Sequence, residues 1–186
     1  MRARCVEVKL EISGVDSESY LSPSKPAVFI GVPGAEMRDG VSQFNEGEID
    51  GIVKVLEDLG AAGVKPSSIG VITPWRAQRR VVKEKLGRSR VEVSTVDSFQ
   101  GREKDVIVFS TTSTRNLSFV EDLNRVNVAF TRARRKLIVL GNVDSIIGSS
   151  GILRKYLDYV SDLDAAYRFS DNSICKVASG SILHIH

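Results

Sequence analysis

The sequence has few of the residues that bind metals or form disulfides. Its 186 residues include two cysteines and two histidines, and Cys5 and Cys175 lie near opposite ends. Neither the number nor the spacing fits a disulfide framework or a metal site. We therefore expect reduced thiols in an intracellular protein, cytoplasmic or, in a eukaryote, nuclear. His184 and His186 form a His-x-His ending, but no further ligand accompanies them in the sequence, so we assign no metal site.

Long apolar runs are also missing. No segment is long enough to span a bilayer, and the first twelve residues alternate instead of forming the apolar core of a signal peptide. We therefore expect no membrane partner. The formal net charge of +3 is mild, so the positions of the basic residues matter more than their number.

The sequence lacks the two elements with which phosphate-loop hydrolases bind ATP and Mg²⁺. No glycine-rich loop ends in Gly-Lys-Ser/Thr; the nearest segment, residues 60–66, has no lysine directly after Gly63 and has Pro66 where a hydroxyl is needed. The acidic pair Glu121 and Asp122 does not end an apolar strand. We expect that the chain alone does not hydrolyse ATP efficiently.

Strand-like and helical patterns alternate from Ala27 onward. Apolar runs of strand length occupy residues 27–32, 69–72, 91–93, 106–110 and 137–140. Helical patterns between them favour a parallel sheet flanked by helices, which is an α/β fold. Asn45 and Glu48 resemble a capping box at one helix start. Thr73 and Pro74 are typical of the cap and first turn of the next helix.

The chain is short for two domains, so we expect one. We divide it into an N-terminal arm or linker at 1–26, a compact domain at 27–165 and a tail at 166–186. The arm alternates like an edge strand and then becomes rich in Ser and Pro. Residues 151–159 are expected to form the closing helix.

Basic residues follow one side of the helix after Thr73. Arg76, Arg79, Arg80 and Lys83 recur at helical spacing, and a helix start after a strand attracts anions such as a nucleic-acid phosphate. The alternative is an ordinary solvated charged face.

A polar turn at residues 94–103 lies between two apolar strands, where open parallel sheets bind ligands. Gly101 permits close backbone approach, Arg102 supplies charge, and Glu103 is suited to accept from a sugar hydroxyl. The alternative is a capped turn in which Thr95 and Asp97 bond only to local backbone.

The segment from Arg125 to Asn142 places a cationic helix directly before a buried apolar strand. Arg132 and Arg134 are two residues apart, so on a helix they point to different sides. Only one of them easily enters a given phosphate site.

Three segments together resemble the second motor domain of superfamily 1 helicases. They are Ile72-Thr-Pro-Trp-Arg-Ala-Gln78, Ser94-Thr-Val-Asp-Ser-Phe-Gln-Gly-Arg-Glu-Lys-Asp-Val-Ile-Val-Phe-Ser110 and Arg125-Val-Asn-Val-Ala-Phe-Thr-Arg-Ala-Arg-Arg-Lys-Leu-Ile-Val-Leu-Gly-Asn142. The nearest likeness is to the branch containing the nonsense-mediated decay helicase. The resemblance covers roughly Ala27 to Tyr159. The first 26 residues do not resemble the family, and its upstream Tyr-Arg-Met-His-Pro-like segment is missing.

The resemblance implies a RecA-like fold of the phosphate-loop NTPase type without its own phosphate loop. It implies that Arg132 is the arginine finger. The implied nucleotide contacts are Gly101, Arg102, Glu103 and Arg134, and the implied nucleic-acid contacts are Thr73, Arg76, Ser94 and Thr95. Trp75 stands where the family often has Tyr, and we expect it to be a core or interface ring.

The resemblance further implies an ATP-dependent helicase that moves 5′-to-3′ on single-stranded DNA or RNA. ATP with Mg²⁺ would lie at the interface with a first RecA-like domain that supplies the phosphate loop, in cis or in trans. We thus expect either part of a longer helicase or a separately encoded half. The alternative is a non-catalytic nucleic-acid-binding or regulatory module that kept the fold and the basic surface.

Overall fold

The computed structural model describes residues 12, 15–115, 117, 120, 123–149 and 151–177, without the side chains of residues 123–125. The sequence expectations for residues 1–11, Cys5 among them, lie outside these residues. So do Glu121, Asp122, His184 and His186. Cys175, the cysteine that is described, is an exposed free thiol.

The described residues form nine strands and five α-helices. The strands are β1 Ala27–Gly31, β2 Met37–Asp39, β3 Ser42–Phe44, β4 Ile69–Thr73, β5 Glu92–Thr95, β6 Lys104–Ser110, β7 Ala133–Gly141, β8 Ala166–Ser170 and β9 Ser173–Lys176. The helices are α1 Glu46–Ala61, α2 Arg76–Leu86, α3 Leu123–Phe130, α4 Val143–Ile147 and α5 Ile152–Asp162.

Seven strands form one sheet in the order β5-β4-β6-β7-β1-β8-β9, and β2 pairs with β3 in a separate hairpin. The neighbours from β5 to β8 are all parallel, and β9 is antiparallel to β8. The predicted α/β fold with a parallel, RecA-like sheet flanked by helices is confirmed. Because the strands are parallel, their amino ends meet at one edge and their carboxyl ends at the other.

Helices cover both faces of the sheet, which explains why its strands are apolar runs without alternation. Val108 and Ile138 pack in one cluster with residues of α1 and α2. Phe109 and Val139, the next residue along each strand, pack on the opposite face with residues of α3, α4 and α5. Successive side chains of a strand point to opposite faces, so both layers are needed to bury these strands.

The tail expected at 166–186 instead begins with two strands of the main sheet. β8 pairs with β1, and β9 follows through a tight turn. Asp171 and Asn172 occupy this turn at positive φ, as hairpin turns of two residues require. Tyr167 and Phe169 are buried against the α1 layer. The boundary at residue 165 is therefore wrong, because burial of these aromatic residues joins β8 to the core.

The expected arm or linker at 1–26 has a core-facing part near its end. Tyr20 and Leu21 are each only 5% exposed. The Lys136 amine donates to the carbonyls of Ser22 and Lys25, at 3.0 Å and 2.5 Å, and is itself buried. Residues 20–25 thus lie against β7 and are attached to it.

The two predicted helix starts differ in outcome. The Asn45 side chain accepts from the Glu48 N–H at 3.2 Å, as a capping box requires, but the Glu48 side chain does not return the bond. The Asn45 N–H instead donates to Gln78 of α2 at 2.8 Å. The prediction that Thr73 caps α2 is wrong. Thr73 ends β4, and Trp75 occupies the cap position, where its side chain makes no capping hydrogen bond.

Candidate nucleotide and nucleic-acid interface

The predicted site residues divide between the two edges of the sheet. Gly101, Arg102 and Glu103 directly precede β6, and Arg132 and Arg134 lie at the start of β7, so this group occupies the amino edge. The other group, which comprises Thr73, Ser94, Thr95 and Arg76, occupies the carboxyl edge of β4 and β5 and the start of α2. The seven residues of β6 separate the edges by roughly 20 Å at the usual rise per residue.

The structure brings the two amino-edge segments together. The Lys104 N–H donates to the Arg132 carbonyl at 3.1 Å, which joins the residues before β6 to those before β7. The Arg134 Nε also donates to Glu103 at 3.1 Å, and both side chains are about half exposed. Exposed pairs of this kind are worth little, so an anionic ligand can replace the carboxylate at small cost.

Arg132 lies in the turn after α3, and Arg134 lies in β7, so the expectation that both are on a helix is wrong. The Arg132 Nε donates to the Val128 carbonyl at 3.1 Å, and its Nη2 contacts the Thr131 hydroxyl at 3.2 Å. The cation therefore sits at the negative end of the helix dipole. Its Nη1 has no hydrogen-bond partner among the described residues, which leaves one donor group for a ligand.

The Arg102 side chain makes contacts within its own region. It forms an ion pair with Glu92, donates to the Ser98 carbonyl and lies 5.3 Å from the centre of the Phe99 ring. Gly101 has φ +75, and no atom of the described residues beyond its chain neighbours lies within 4 Å of the place that a Cβ would occupy there. The exposed backbone at Gly101 thus fits the predicted close approach, whereas Arg102 is engaged in local contacts.

The carboxyl edge differs from the expectation at Thr73. Its side chain has no exposed surface, and its hydroxyl lies 3.1 Å from the Thr112 hydroxyl and accepts from the Trp75 N–H at 3.3 Å. Direct contact of this side chain with a nucleic acid is not available. The reason is that the turn after β6 covers the end of β4.

Ser94 and Thr95, the two predicted site residues of β5, differ in exposure. Ser94 is 6% exposed. Thr95 is more exposed, and its hydroxyl donates to Ser98 at 2.9 Å. This bond is local, as in the capped-turn alternative, but its acceptor is a side chain and not the backbone.

The basic side of α2 is partly neutralised. Arg76 and Lys83 are exposed. Arg80 pairs with Glu84 and with Asp39 of the hairpin, at 2.9 Å and 3.1 Å. The side is therefore less basic than its sequence suggests, and Arg76 lies nearest the carboxyl edge.

Trp75 is a half-buried ring at the same edge, in agreement with the expected core or interface role. Its indole N–H donates to the Ser113 hydroxyl at 3.1 Å. The hairpin supports this region as well, because the Ser42 hydroxyl accepts from the Ala77 N–H at 3.0 Å and so satisfies a donor at the start of α2. Sequence reasoning did not identify this hairpin.

Sequence reasoning also missed a buried carboxylate at the carboxyl edge. Glu48 has no exposed surface and accepts from the hydroxyls of Ser110 and Thr111, at 2.6 Å and 3.1 Å, and from the Thr112 N–H at 2.9 Å. Burial raises the pKa of Glu48 to about 7, while the hydrogen bonds oppose that rise. The run of hydroxyl residues after β6 was the available signal.

The described residues suit the phosphates of ATP better than they suit Mg²⁺. Exposed guanidiniums and an open glycine at the amino edge suit phosphate oxygens. In the described part of the chain, no cluster of three or more acidic, His or Cys residues suits a metal ion. The described residues thus fit phosphate contacts, and they do not provide a Mg²⁺ ligand set. Within the same part of the chain, no helix has the length and apolar character needed to cross a membrane.

Comparison with known proteins identifies helicase relatives. DNA polymerase alpha-associated DNA helicase A of Saccharomyces cerevisiae is 42% identical over 110 residues, which cover 55% of this chain and 16% of that protein. A DNA replication ATP-dependent helicase/nuclease of Mus musculus is 40% identical, with 68% of this chain and 13% of that protein covered. A regulator of nonsense transcripts 1 homolog of Arabidopsis thaliana is 35% identical, with 73% and 12% covered.

The chain thus spans between 12% and 16% of the length of these three relatives. Their names refer to DNA replication as well as to nonsense transcripts, so the likeness extends beyond the nonsense-mediated decay branch. Residues 5–144 match the family described as an AAA domain. The match begins at residue 5, so the expectation that the first 26 residues do not resemble the family is wrong. The chain belongs to this AAA domain family, a family of superfamily 1 helicases.

Proposed function

We propose that this chain is the second motor domain of an ATP-dependent nucleic-acid helicase. In this proposal the amino edge faces a nucleotide held by a first motor domain, and the carboxyl edge grips a single strand of DNA or RNA. The observation that carries the proposal is the separation of the two groups of site residues on opposite edges. Residues 96–103 connect these edges directly, so a shift at one edge is transmitted to the other.

At the amino edge, Arg132 acts as the arginine finger. Its guanidinium is anchored by two bonds within its own segment and keeps Nη1 for a ligand. ATP supplies the transferable phosphoryl group, and Arg132 offsets the charge that develops on it, an effect worth roughly 10³ to 10⁵ in rate. Glu103 releases Arg134 toward the phosphates and accepts from a sugar hydroxyl, while the Gly101 backbone lies close to the nucleotide.

At the carboxyl edge, Arg76 and Thr95 contact the phosphate backbone of the strand. Both are exposed enough for direct contact, and Ser94 contributes from the end of β5. Thr73 does not contact the strand. Its hydroxyl bonds to the Thr112 hydroxyl and to the Trp75 backbone, and it thereby fixes both residues. Backbone contacts of this kind carry little sequence preference and depend steeply on salt.

The phosphate loop and the Mg²⁺ ligands come from the first motor domain, in cis or in trans. The family relation supports 5′-to-3′ movement along the strand. We expect the protein to act inside the cell. The second candidate, a binding module without catalysis, is favoured by the missing phosphate loop alone. It gives no reason for an anchored Arg132 on the same edge of the sheet as the open Gly101.

Oligonucleotide binding and ATP turnover by the 186-residue chain test the proposal. We expect the chain to bind fluorescent (dT)20 or (U)20 with an affinity that falls steeply between 50 and 200 mM salt, and to show no ATP turnover by itself. Adding a phosphate-loop motor domain of a relative should then give strand-stimulated turnover that Arg132→Ala removes. Absence of strand binding contradicts the proposal, and strand binding with no turnover in any mixture supports the binding module.

A further inference from the structure

Glu48 is a buried carboxylate whose role the helicase motifs do not explain. It lies in the first turn of α1, has no exposed surface and forms no ion pair with any described residue. The groups that contact it are neutral hydroxyl or backbone donors of Ser110, Thr111 and Thr112. A buried charge is costly unless it is paired or fully hydrogen-bonded, so an apolar side chain would fill this space more cheaply. The carboxylate therefore indicates a function for its hydrogen bonds.

These bonds hold the turn after β6 in an unusual conformation. Thr112 has φ +66, a region that β-branched residues rarely adopt. Its N–H lies 2.9 Å from both carboxylate oxygens of Glu48. Ser110 and Thr111, the two residues before it, bond to the same carboxylate. Glu48 thus fixes three successive residues at the point where β6 ends.

The turn after β6 contacts the end of β4, the residue before α2 and the hairpin. The Thr112 hydroxyl lies 3.1 Å from that of Thr73 at the end of β4. The Ser113 hydroxyl accepts from Trp75 before α2 at 3.1 Å and from Gln43 of β3 at 2.6 Å. The conformation of residues 110–114 therefore determines how β4, α2 and the hairpin are arranged relative to one another.

We propose that Glu48 is a positioning residue of the strand-binding edge, whose carboxylate holds residues 110–114 in the conformation that grips single-stranded nucleic acid. The inference deepens the proposed function and rests on it. Glu48 does not touch the strand. It acts through Thr112 and Ser113, which support Thr73 and Trp75 from the interior side.

Glu48→Gln tests this inference, with Glu46→Gln as the matched control. Both residues lie in the first turn of α1 and both changes remove one negative charge, but Glu46 is exposed. The glutamine at position 48 keeps the size of the side chain and leaves one acceptor in place of two. We expect the affinity of the full chain for (dT)20 and (U)20 at fixed salt to fall at least tenfold in Glu48→Gln and to change less than twofold in Glu46→Gln.

The pH dependence of binding separates positioning from simple packing. No charged side chain of the described residues contacts the Glu48 carboxylate, since β6 and its turn present neutral donors and α2 presents Gln78, which bonds to Ser110. Burial raises the pKa of Glu48 to about 7. We expect strand affinity of the wild-type chain to weaken as the pH falls from 8 to 6, and this step to be absent in Glu48→Gln.

Thr111→Val provides a second variant should Glu48→Gln fold poorly. Valine keeps the shape of threonine and removes one donor to Glu48. Because that hydrogen bond lowers the pKa of Glu48, the midpoint of the pH step in strand affinity should move upward. A midpoint that stays in place overturns the inference.

Hydrogen exchange distinguishes a failure of this inference from a failure of the proposed function. If the wild-type chain binds neither oligonucleotide, the proposed function is wrong, and amide exchange of residues 110–114 still decides whether Glu48 holds the turn. We expect at least tenfold faster exchange of the Thr112 amide in Glu48→Gln than in Glu46→Gln. Equal exchange in the two variants, or equal strand affinity of wild type and Glu48→Gln, overturns the inference.

Discussion

The two edges of the sheet differ in the charge and burial of their polar groups. At the amino edge the polar groups are charged and exposed, and pairs such as Arg134 with Glu103 remain open to exchange. At the carboxyl edge they are mostly neutral, and they are buried around the carboxylate of Glu48. An exposed ion pair is easily replaced by a ligand, whereas a buried network fixes shape. The difference suggests chemistry at one edge and positioning at the other.

The largest expected effect tests the amino edge. In a motor that contains this chain, Arg132→Ala should lower ATP turnover by roughly 10³-fold or more, because charge on the transferring phosphoryl group is no longer offset. Strand affinity should stay within twofold, since the other edge is intact. Steady-state turnover at saturating ATP is the measurement. Lys155→Ala, which removes an exposed cation from α5, is the control, and turnover within tenfold of wild type would show that Arg132 is not the finger.

The next effect concerns Lys136, whose amine is buried against the carbonyls of Ser22 and Lys25. Burial, followed by the charge of Lys25, lowers the pKa of Lys136 from 10.5 to about 7. Between these values the unfolded chain binds a proton that the folded chain lacks, so the free energy of unfolding rises with pH across this window. The rise is on the order of 4 kcal/mol.

Lys136→Met should lose this dependence because methionine does not titrate. Urea unfolding of both chains at pH 7 and pH 10 measures the difference. If the two chains change in parallel between these pH values, Lys136 is not held neutral by burial.

Glu48 should give the opposite pH response at the other edge. Its pKa is raised from 4.5 to about 7 by burial, so between these values the folded chain keeps a proton that the unfolded chain has lost. The free energy of unfolding therefore falls as the pH rises through this window, by an amount on the order of 3 kcal/mol. In Glu48→Gln this fall should be absent when unfolding is measured at pH 5 and pH 7.5. Superimposable pH profiles of wild type and variant would contradict it.

The smallest expected effect compares two arginines of α2. Arg76→Ala should weaken single-strand affinity about three- to tenfold and reduce the slope of affinity against salt by about one charge. Arg80→Ala should have less effect, because Arg80 is already paired with Asp39 and Glu84. Binding titrations over a range of salt concentrations measure both. An equal effect of the two changes would place the strand along the whole helix and not at the carboxyl edge.

The sequence predicted the elements whose signals are local. Apolar runs identified the central strands, and the pattern of α1 with Asn45 at its start was recognised because a cap and a helical repeat need no distant partner. The tail was misjudged because β8 is held by its pairing with β1, which lies far away in sequence. Thr73 was wrongly assigned as a helix cap. Its burial is caused by the turn after β6, and the local sequence does not reveal that contact.

The predicted site residues show the same division. The sequence predicted Arg132 and Glu103 as site residues from the resemblance of their motifs, and their roles stay a prediction. It did not identify the role of Glu48. In the local sequence this residue resembles part of a capping box, and its burial depends on the distant turn at Thr112. The proximity of Arg134 to Glu103 required the pairing of β6 with β7.

By itself, the sequence determined the α/β class through its apolar periodicity, and its three motifs indicated the helicase family by resemblance. It also contains the charged residues that suit a phosphate, because residue chemistry is a property of the chain. The tertiary structure decided which side chains are exposed, which edge each motif occupies, and that Glu48 and Lys136 are buried with altered pKa values. Burial and contact depend on residues that are distant in sequence. For that reason these properties appear only when the sheet has formed.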